Sequence, residues 1–235
     1  MKYLLFICTD PEAEAYTPEK DTVGDWVAEM TTNGRRIDGQ RLRPPEDAAT
    51  VRVRKGEVLV SDGPFAETKE GIAGFDLIEA ADLDQAIDCA SKHSMARFGR
   101  IEIRPFAPAS DLPVVDGPIP HHGPQALFFQ FLCTDSGADA YNPAEDNVRS
   151  WVDEMVGRGV LVQGQLLRPV ENATLVRVRN DKVLVTDGPF AETKDWIMGY
   201  GILACRDLAE AVEVSSRHPA ARFGCIEVRA FWPFA

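Results

Sequence analysis

The feature that most constrains this chain is that it contains a second copy of itself. Tyr3 to Phe106 aligns with Phe128 to Phe231 without a gap at an offset of 125 residues, with about half the aligned positions identical. That period is too long for a solenoid repeat and suits a domain. The chain therefore divides into a first unit at 1–106, a linker at 107–125 and a second unit at 126–235. Five prolines and two glycines make the linker (Ala107 to Gln125) read as a solvated, semi-extended spacer. Its adjacent His121 and His122 would point to opposite sides of an extended chain, so no metal site is expected there. The repeat also explains the N-terminus. Tyr3 to Asp10 (YLLFICTD) returns as Phe128 to Asp135 (FFQFLCTD), where no targeting segment would sit, so both read as buried strands. No run approaches the ~18 apolar residues of a membrane-spanning helix.

Composition narrows the partners. Hydrophobic residues make up 45% and charged residues 26% of the 235, which suits a globular protein. A formal charge of -12 would repel a phosphate backbone or an anionic membrane, so neither nucleic acid nor membrane is expected as a partner. Five cysteines, odd in number and without a CxxC pair, indicate neither a disulfide framework nor a zinc site. A cytoplasmic protein is expected.

Each unit opens with a strand, Lys2 to Cys8 or Leu127 to Cys133, and a polar loop. Thr17-Pro18 and Asn142-Pro143 read as a cap and first residue of a helix. Val23, Trp26, Val27 and Met30, like Val148, Trp151, Val152 and Met155, give that helix an apolar stripe, and Gly34 and Gly159 stop it. A strand at Ile37 to Leu42 follows, then a hairpin turning at Lys55-Gly56 or Asn180-Asp181. A strand at Gly74 to Ala80, a second helix opened by Asp82 or Asp207, and a strand from Arg100 to Phe106 complete the unit. The last strand is expected to turn Ile101 and Ile103 inward and Glu102 and Arg104 outward. This order predicts an α+β fold of two tandem ferredoxin-like (split βαβ) units. Their open sheet faces would pack on each other as an intramolecular dimeric α+β barrel enclosing a cavity.

Both units carry the octapeptide Asp-Gly-Pro-Phe-Ala-Glu-Thr-Lys, at Asp62 to Lys69 and Asp187 to Lys194. Asp62 and Asp187 are candidate catalytic bases. Each ends an apolar strand before Gly-Pro, and its carboxylate either accepts turn N–H bonds or enters the cavity, where desolvation would raise its pKa. Lys69 and Lys194 are candidate anion ligands or salt-bridge partners of Glu67 and Glu192; Arg43 and Arg168 are candidates for the cavity mouth. His93 and His218 are candidates for ligand binding or for capping the second helix, which they close and where an imidazolium would suit the helix dipole. Arg97 and Arg222 are expected to pair with Glu102 and Glu227. Trp26 and Trp151, also candidates for ligand binding, are expected in the core, with at most one edge reaching the pocket. GxGxxG, P-loop, HExxH and GxSxG are absent, so no cofactor is indicated. Between copies Gly71 becomes Trp196, Ala73 Met198, Asp76 Gly201, Arg36 Leu161 and Asp38 Gln163. If these line the cavity, one well-formed site is expected instead of two.

The octapeptide, the Val-Arg-Val-Arg before it and the His-x-x-Ala-Arg-Phe-Gly-x-Ile-Glu near each end closely resemble the DGPF subgroup of the YCII-related proteins, over almost all of both units. The resemblance implies a dimeric α+β barrel and a superfamily that includes small-molecule enzymes, among them a lactone dehalogenase. It also implies a His-Asp acid-base pair of the YciI-like type and a regulatory link to extracytoplasmic-function sigma factors. The YciI-like histidine has no counterpart on the first helix, which carries Trp26 and Glu29, or Trp151 and Glu154. The Asp-Pro before the last strand is His93-Ser94 and His218-Pro219. The expected function is small-molecule binding, with cofactor-independent acid-base chemistry on an acidic or lactone-like metabolite. The alternative is a regulatory module that docks a sigma factor. Further pairing into a homodimer is compatible with either.

Overall fold

The computed structural model describes residues 1–66, 71–109, 113–142, 144–190 and 194–232. The first unit runs β1 (Lys2–Thr9), α1 (Val23–Thr32), β2 (Arg36–Arg41), β3 (Ala49–Arg54), β4 (Glu57–Asp62), β5 (Ile72–Glu79), α2 (Leu83–Lys92), α3 (Met95–Phe98) and β6 (Gly99–Pro105). The linker holds β7 (Val115–Asp116). The second unit repeats the order as β8 (Ala126–Cys133), α4 (Val148–Gly157), β9 (Leu161–Leu166), β10 (Thr174–Arg179), β11 (Lys182–Asp187), β12 (Ile197–Cys205), α5 (Leu208–Ser216), α6 (Ala220–Phe223) and β13 (Cys225–Ala230).

Two antiparallel sheets result, ordered β11-β10-β6-β1-β5-β2 and β4-β3-β13-β8-β12-β9-β7. The four strands β6-β1-β5-β2, and likewise β13-β8-β12-β9, have the strand order of a split βαβ unit, as expected. The hairpins are exchanged. β3 pairs with β13 (Val51 opposite Ile226) and β10 with β6 (Val176 opposite Ile101), so each unit's hairpin extends the other unit's sheet. Lys55 and Gly56, like Asn180 and Asp181, have positive φ at both turn positions, the twist that two-residue hairpins require.

Alternation along β1 separates two cores. Tyr3, Leu5 and Ile7 pack with Trp26, Met30, Ala86 and Cys89 of the helices, and Val176 of the exchanged hairpin joins them. Leu4, Phe6 and Cys8 face the other sheet and meet Phe129, Phe131 and Cys133. Helices thus cover the outer faces, and the inner faces close on each other as a barrel.

Three local expectations change. The main helices start at Val23 and Val148, capped at the second by the Asn147 side chain accepting from Ser150 N. Thr17-Pro18 opens only the single turn Pro18–Lys20, because Asp21 and Thr22 adopt non-helical backbone before the helix; Pro143 lies outside the described residues. The linker is no mere spacer: Val115 pairs with Gly164, Ile119 is buried between the sheets, and His121 Nε2 lies 2.8 Å from Asp38 Oδ1. Finally, Glu102 and Arg104 do not face outward. They lie on the barrel side of β6, each 1% exposed, because both faces of this sheet are covered.

Candidate functional site

The octapeptide turn brings the two units together at one place. After β4, Gly63 at φ 89 donates its N–H to Ala48 O and its carbonyl accepts from Thr50 Oγ1, which folds Pro64 and Phe65 back over the other unit. Phe65 N then donates to Glu227 Oε2 at 3.0 Å. Gly188 (φ 102) and Gly188 N to Ala173 O repeat the turn, and Phe190 N donates to Glu102 Oε2 at 2.6 Å.

Each glutamate is also paired along its own strand. Arg104 Nη1 reaches Glu102 Oε1 at 3.2 Å, while Arg104 Nη2 donates to Arg168 O and Ile197 O. Arg229 holds Glu227 Oε1 through both Nε and Nη2, and its Nη1 donates to Ile72 O. The two pairs are related by the pseudo-two-fold of the repeat. Between them lies a cavity of about 300 Å³. Glu102, Arg104, Val170, Phe190, Trp196 and Ile197 form one wall, and Glu227, Arg229, Pro45, Phe65, Gly71 and Ile72 the other. Burial pushes the Glu102 carboxyl up, an effect only partly offset by Arg104 and the Phe190 N–H.

The same loops are braced by the Val-Arg-Val-Arg strands. Arg179 Nη2 donates to Asp10 Oδ2 at 2.6 Å and to Gly99 O, and Nη1 to Ala96 O and Arg97 O. Arg54 does the same to Asp135, Gly224, Ala221 and Arg222. Against the cost of burial, hydrogen bonds from Arg100 and the Glu12 N–H hold the Asp10 carboxyl below its usual range. Each exchanged hairpin is thus locked onto the end of the opposite unit.

The residues nominated from sequence sit elsewhere. Asp62 and Asp187 are exposed at the ends of β4 and β11 and do not line the cavity; among the described residues neither carboxylate takes a hydrogen bond, from a turn N–H or otherwise. Arg43 is exposed, its guanidinium 5.3 Å from the Trp232 ring, and Arg168 does not line the cavity, although its carbonyl accepts from Arg104 Nη2. Lys194 is exposed away from the cavity, and Lys69, with Glu67 and Glu192, lies outside the described residues. Trp26 and Trp151 are core residues that donate to Cys89 O and Val214 O on the helix side of the sheets.

His93 and His218 correct the imidazolium expectation. Both are buried, and their Nδ1 atoms accept from Met95 N and Ala220 N, so the neutral ring caps the next short helix. Each rests edge-on against Trp26 or Trp151, and burial pushes the pKa down to about 4 for His93 and about 3 for His218. Arg97 and Arg222 pair with Asp181 and Asp146, since Glu102 and Glu227 are taken between the sheets.

Of the positions that differ between copies, Gly71 and Trp196 do line the cavity. Of the others, Asp38 and Gln163 sit opposite the barrel residues Leu77 and Ile202 and contact the linker at His121 and Gly117 O, whereas on the helix side of the first unit Arg36 Nε binds Asp76 Oδ1 at 2.7 Å. In the second, Leu161, Met198 and Gly201 line a recess of about 60 Å³ beside Trp151 and His218. Among the described residues, one cavity lies on the axis. The sequence signal for Glu102 and Arg104 is the retention of Ile-Glu-x-Arg in both copies, which alternation alone assigned to solvent.

Comparison with known proteins gives three findings. The model of the YCII-related domain matches residues 1–110 and again 127–235. "Uncharacterized protein R00369" of Rhizobium meliloti (strain 1021) is 52% identical over 69 residues, 28% of this chain, and the match spans 56% of that protein. A heme-binding protein from Thermus thermophilus has a TM-score of 0.40 at 10% identity, covering 99% of this chain and 91% of its own.

Proposed function

The chain belongs to the YCII-related family, and we propose that it binds a small organic molecule in the cavity on its pseudo-two-fold axis. The observation that carries this reading is the pair of buried Glu–Arg couples facing one space between the two Gly-Pro-Phe loops. Buried ion pairs are costly to desolvate and are often no better for stability than apolar packing. Two of them around an open volume, in a barrel otherwise filled by apolar residues, favour a role in ligand recognition.

Glu102 is the group best suited to acid-base work. It is enclosed, its carboxyl is raised by burial, and it borders the cavity directly, whereas Asp62 and Asp187 face water. A screen of small organic molecules by amide NMR tests the binding step. Hits should shift the amides of Phe65, Phe190, Glu102 and Glu227; shifts confined to the hairpin ends at Asp62 and Asp187 would overturn the assignment. Glu102→Gln should abolish solvent-deuterium incorporation into any hit that exchanges a C–H proton when bound.

A second reading is the docking of a partner protein, such as a sigma factor, at the sheet edges. It draws on Val58, Leu59 and Val60, and on Val183, Leu184 and Val185, all of which are exposed on the outermost strands β4 and β11. Slowed hydrogen exchange of these strands in the presence of the cognate factor would support it.

A further inference from the structure

The second unit lacks an ion pair that fills the first. On the helix side of the first sheet Arg36 Nε binds Asp76 Oδ1 at 2.7 Å, and His93 Nε2 lies 3.7 Å from Asp76 Oδ2. The corresponding residues of the second unit are Leu161, Gly201 and His218. There the recess of about 60 Å³ opens against Trp151, with Val152, Leu161 and Met198 on its wall.

Two further exchanges bring a polar group to this space: Leu5 becomes Gln130 and Ala90 becomes Ser215. Ser215 Oγ donates to Ala211 O at 2.6 Å, so it accepts from Gln130 Nε2 at 2.7 Å. That fixes the amide orientation and leaves Gln130 Oε1 beside Gly201. A Cβ at Gly201 would stand 2.5 Å from this oxygen, so glycine is what admits it. His218 Nδ1 accepts from Ala220 N, so the neutral ring carries its proton on Nε2. Gln130 is 1% and His218 5% exposed, and among the described residues neither Gln130 Oε1 nor His218 Nε2 has a hydrogen-bond partner. The site is built from these two side chains; residues 110–112, next in the chain to Pro113 of the wall, lie outside the described residues.

The recess suits a ligand better than water. Its volume has room for about four waters at about 15 Å³ each, every one needing two to four polar partners. Of the other polar side chains on the wall, Gln165 turns its amide to Ala107 O and Tyr200 stacks its ring on Phe129 in the barrel. A carboxylate would accept from His218 but set its second oxygen against Gln130 Oε1. An ammonium would donate to Gln130 but face the His218 N–H. A hydroxyl or a primary amide satisfies both.

We propose that this recess is a second ligand site, separate from the axial cavity, and that it takes an uncharged hydroxyl or primary-amide head on a small apolar body. The head accepts from His218 Nε2 and donates to Gln130 Oε1, and the body lies against Val152, Leu161 and Met198.

The test uses the whole chain and three probes titrated by amide NMR: isobutyramide, N,N-dimethylisobutyramide, which lacks the donor, and isobutyrate, which is anionic. Isobutyramide should shift the Trp151 indole and the amides of β9 and β12, with the other two roughly tenfold weaker. Gln130→Leu, which matches Leu5 of the first unit, should weaken isobutyramide roughly tenfold. Leu161→Phe fills the recess and should abolish the shifts. It leaves His218 and Gln130 in place, so it keeps the test valid if Gln130→Leu does not fold. Unchanged binding in either variant would overturn the site. Isobutyrate or the dimethyl amide binding as tightly as isobutyramide would overturn the head-group chemistry. No shift with any probe, or shifts confined to Phe65, Phe190 and β6, would overturn this inference and leave the axial-cavity reading standing.

Discussion

At the residue scale, the two buried histidines give the protein a pH signature. Their pKa values fall from about 6.5 in the unfolded chain to about 4 and about 3, so between those values the unfolded state binds more protons and stability is lost as pH drops below about 6.5. From pH 7 to pH 5 each histidine costs about 2 kcal/mol. In the first unit Asp76 opposes this. Burial raises its carboxyl to about 6 despite Arg36, so acidification through that range favours the folded state. Gly201 stands at the corresponding position of the second unit, and His218 is uncompensated. Urea midpoints at pH 7 and pH 5 should therefore converge by similar amounts in His218→Asn and His93→Asn, relative to the native chain, and move further apart in Asp76→Asn, which loses the opposing carboxyl. An unchanged gap in Asp76→Asn would show that Asp76 does not titrate as its surroundings imply.

At the scale of elements, the exchanged hairpins depend on their arginines. Asp10 is almost wholly enclosed and accepts from both Arg100 and Arg179. Arg179→Met should cost about 3 kcal/mol in chemical denaturation, because it removes several carbonyl bonds and leaves Asp10 with Arg100 alone. A loss below about 1 kcal/mol would mean that the hairpin is held by its strand pairing and apolar contacts. The paired copies made the elements readable: the apolar stripe of α1, the turn residues at Lys55-Gly56 and the Asp82 cap all lie where local chemistry puts them. Alternation misled at β6 and β13, since it separates two faces of a strand but cannot say that both are covered. The hairpin exchange was likewise hidden. Val51 and Val176 look the same in sequence whichever unit's core receives them, and only the sheet order reveals the receiver.

At the scale of the whole molecule, the exchange ties the two units into one cooperative body. An isolated first unit, 1–110, lacks the hairpin that covers the edge of β6, and should recover it by trading hairpins with a second copy. Sedimentation of that fragment should show a dimer; a stable folded monomer would mean that the hairpin can fold back onto its own sheet. The duplication also frees the two walls of the axial cavity to diverge, which Gly71 and Trp196 record. The nomination of Asp62 and Asp187 failed to reach that cavity for a reason of scale. Their motif does build the site, but through the backbone N–H groups of Phe65 and Phe190, which no side-chain inventory displays.

The measurement that tests the central claim most directly is a thermal-shift screen of small metabolites on the native chain, on Glu102→Gln and on Asp62→Asn/Asp187→Asn. A ligand at a hundred times its dissociation constant adds about 2.7 kcal/mol, a shift of several degrees for a chain of this size. The axial-cavity account predicts that the shift survives in the aspartate double variant and is lost in Glu102→Gln. A shift that vanishes with the aspartates and persists in Glu102→Gln would contradict it.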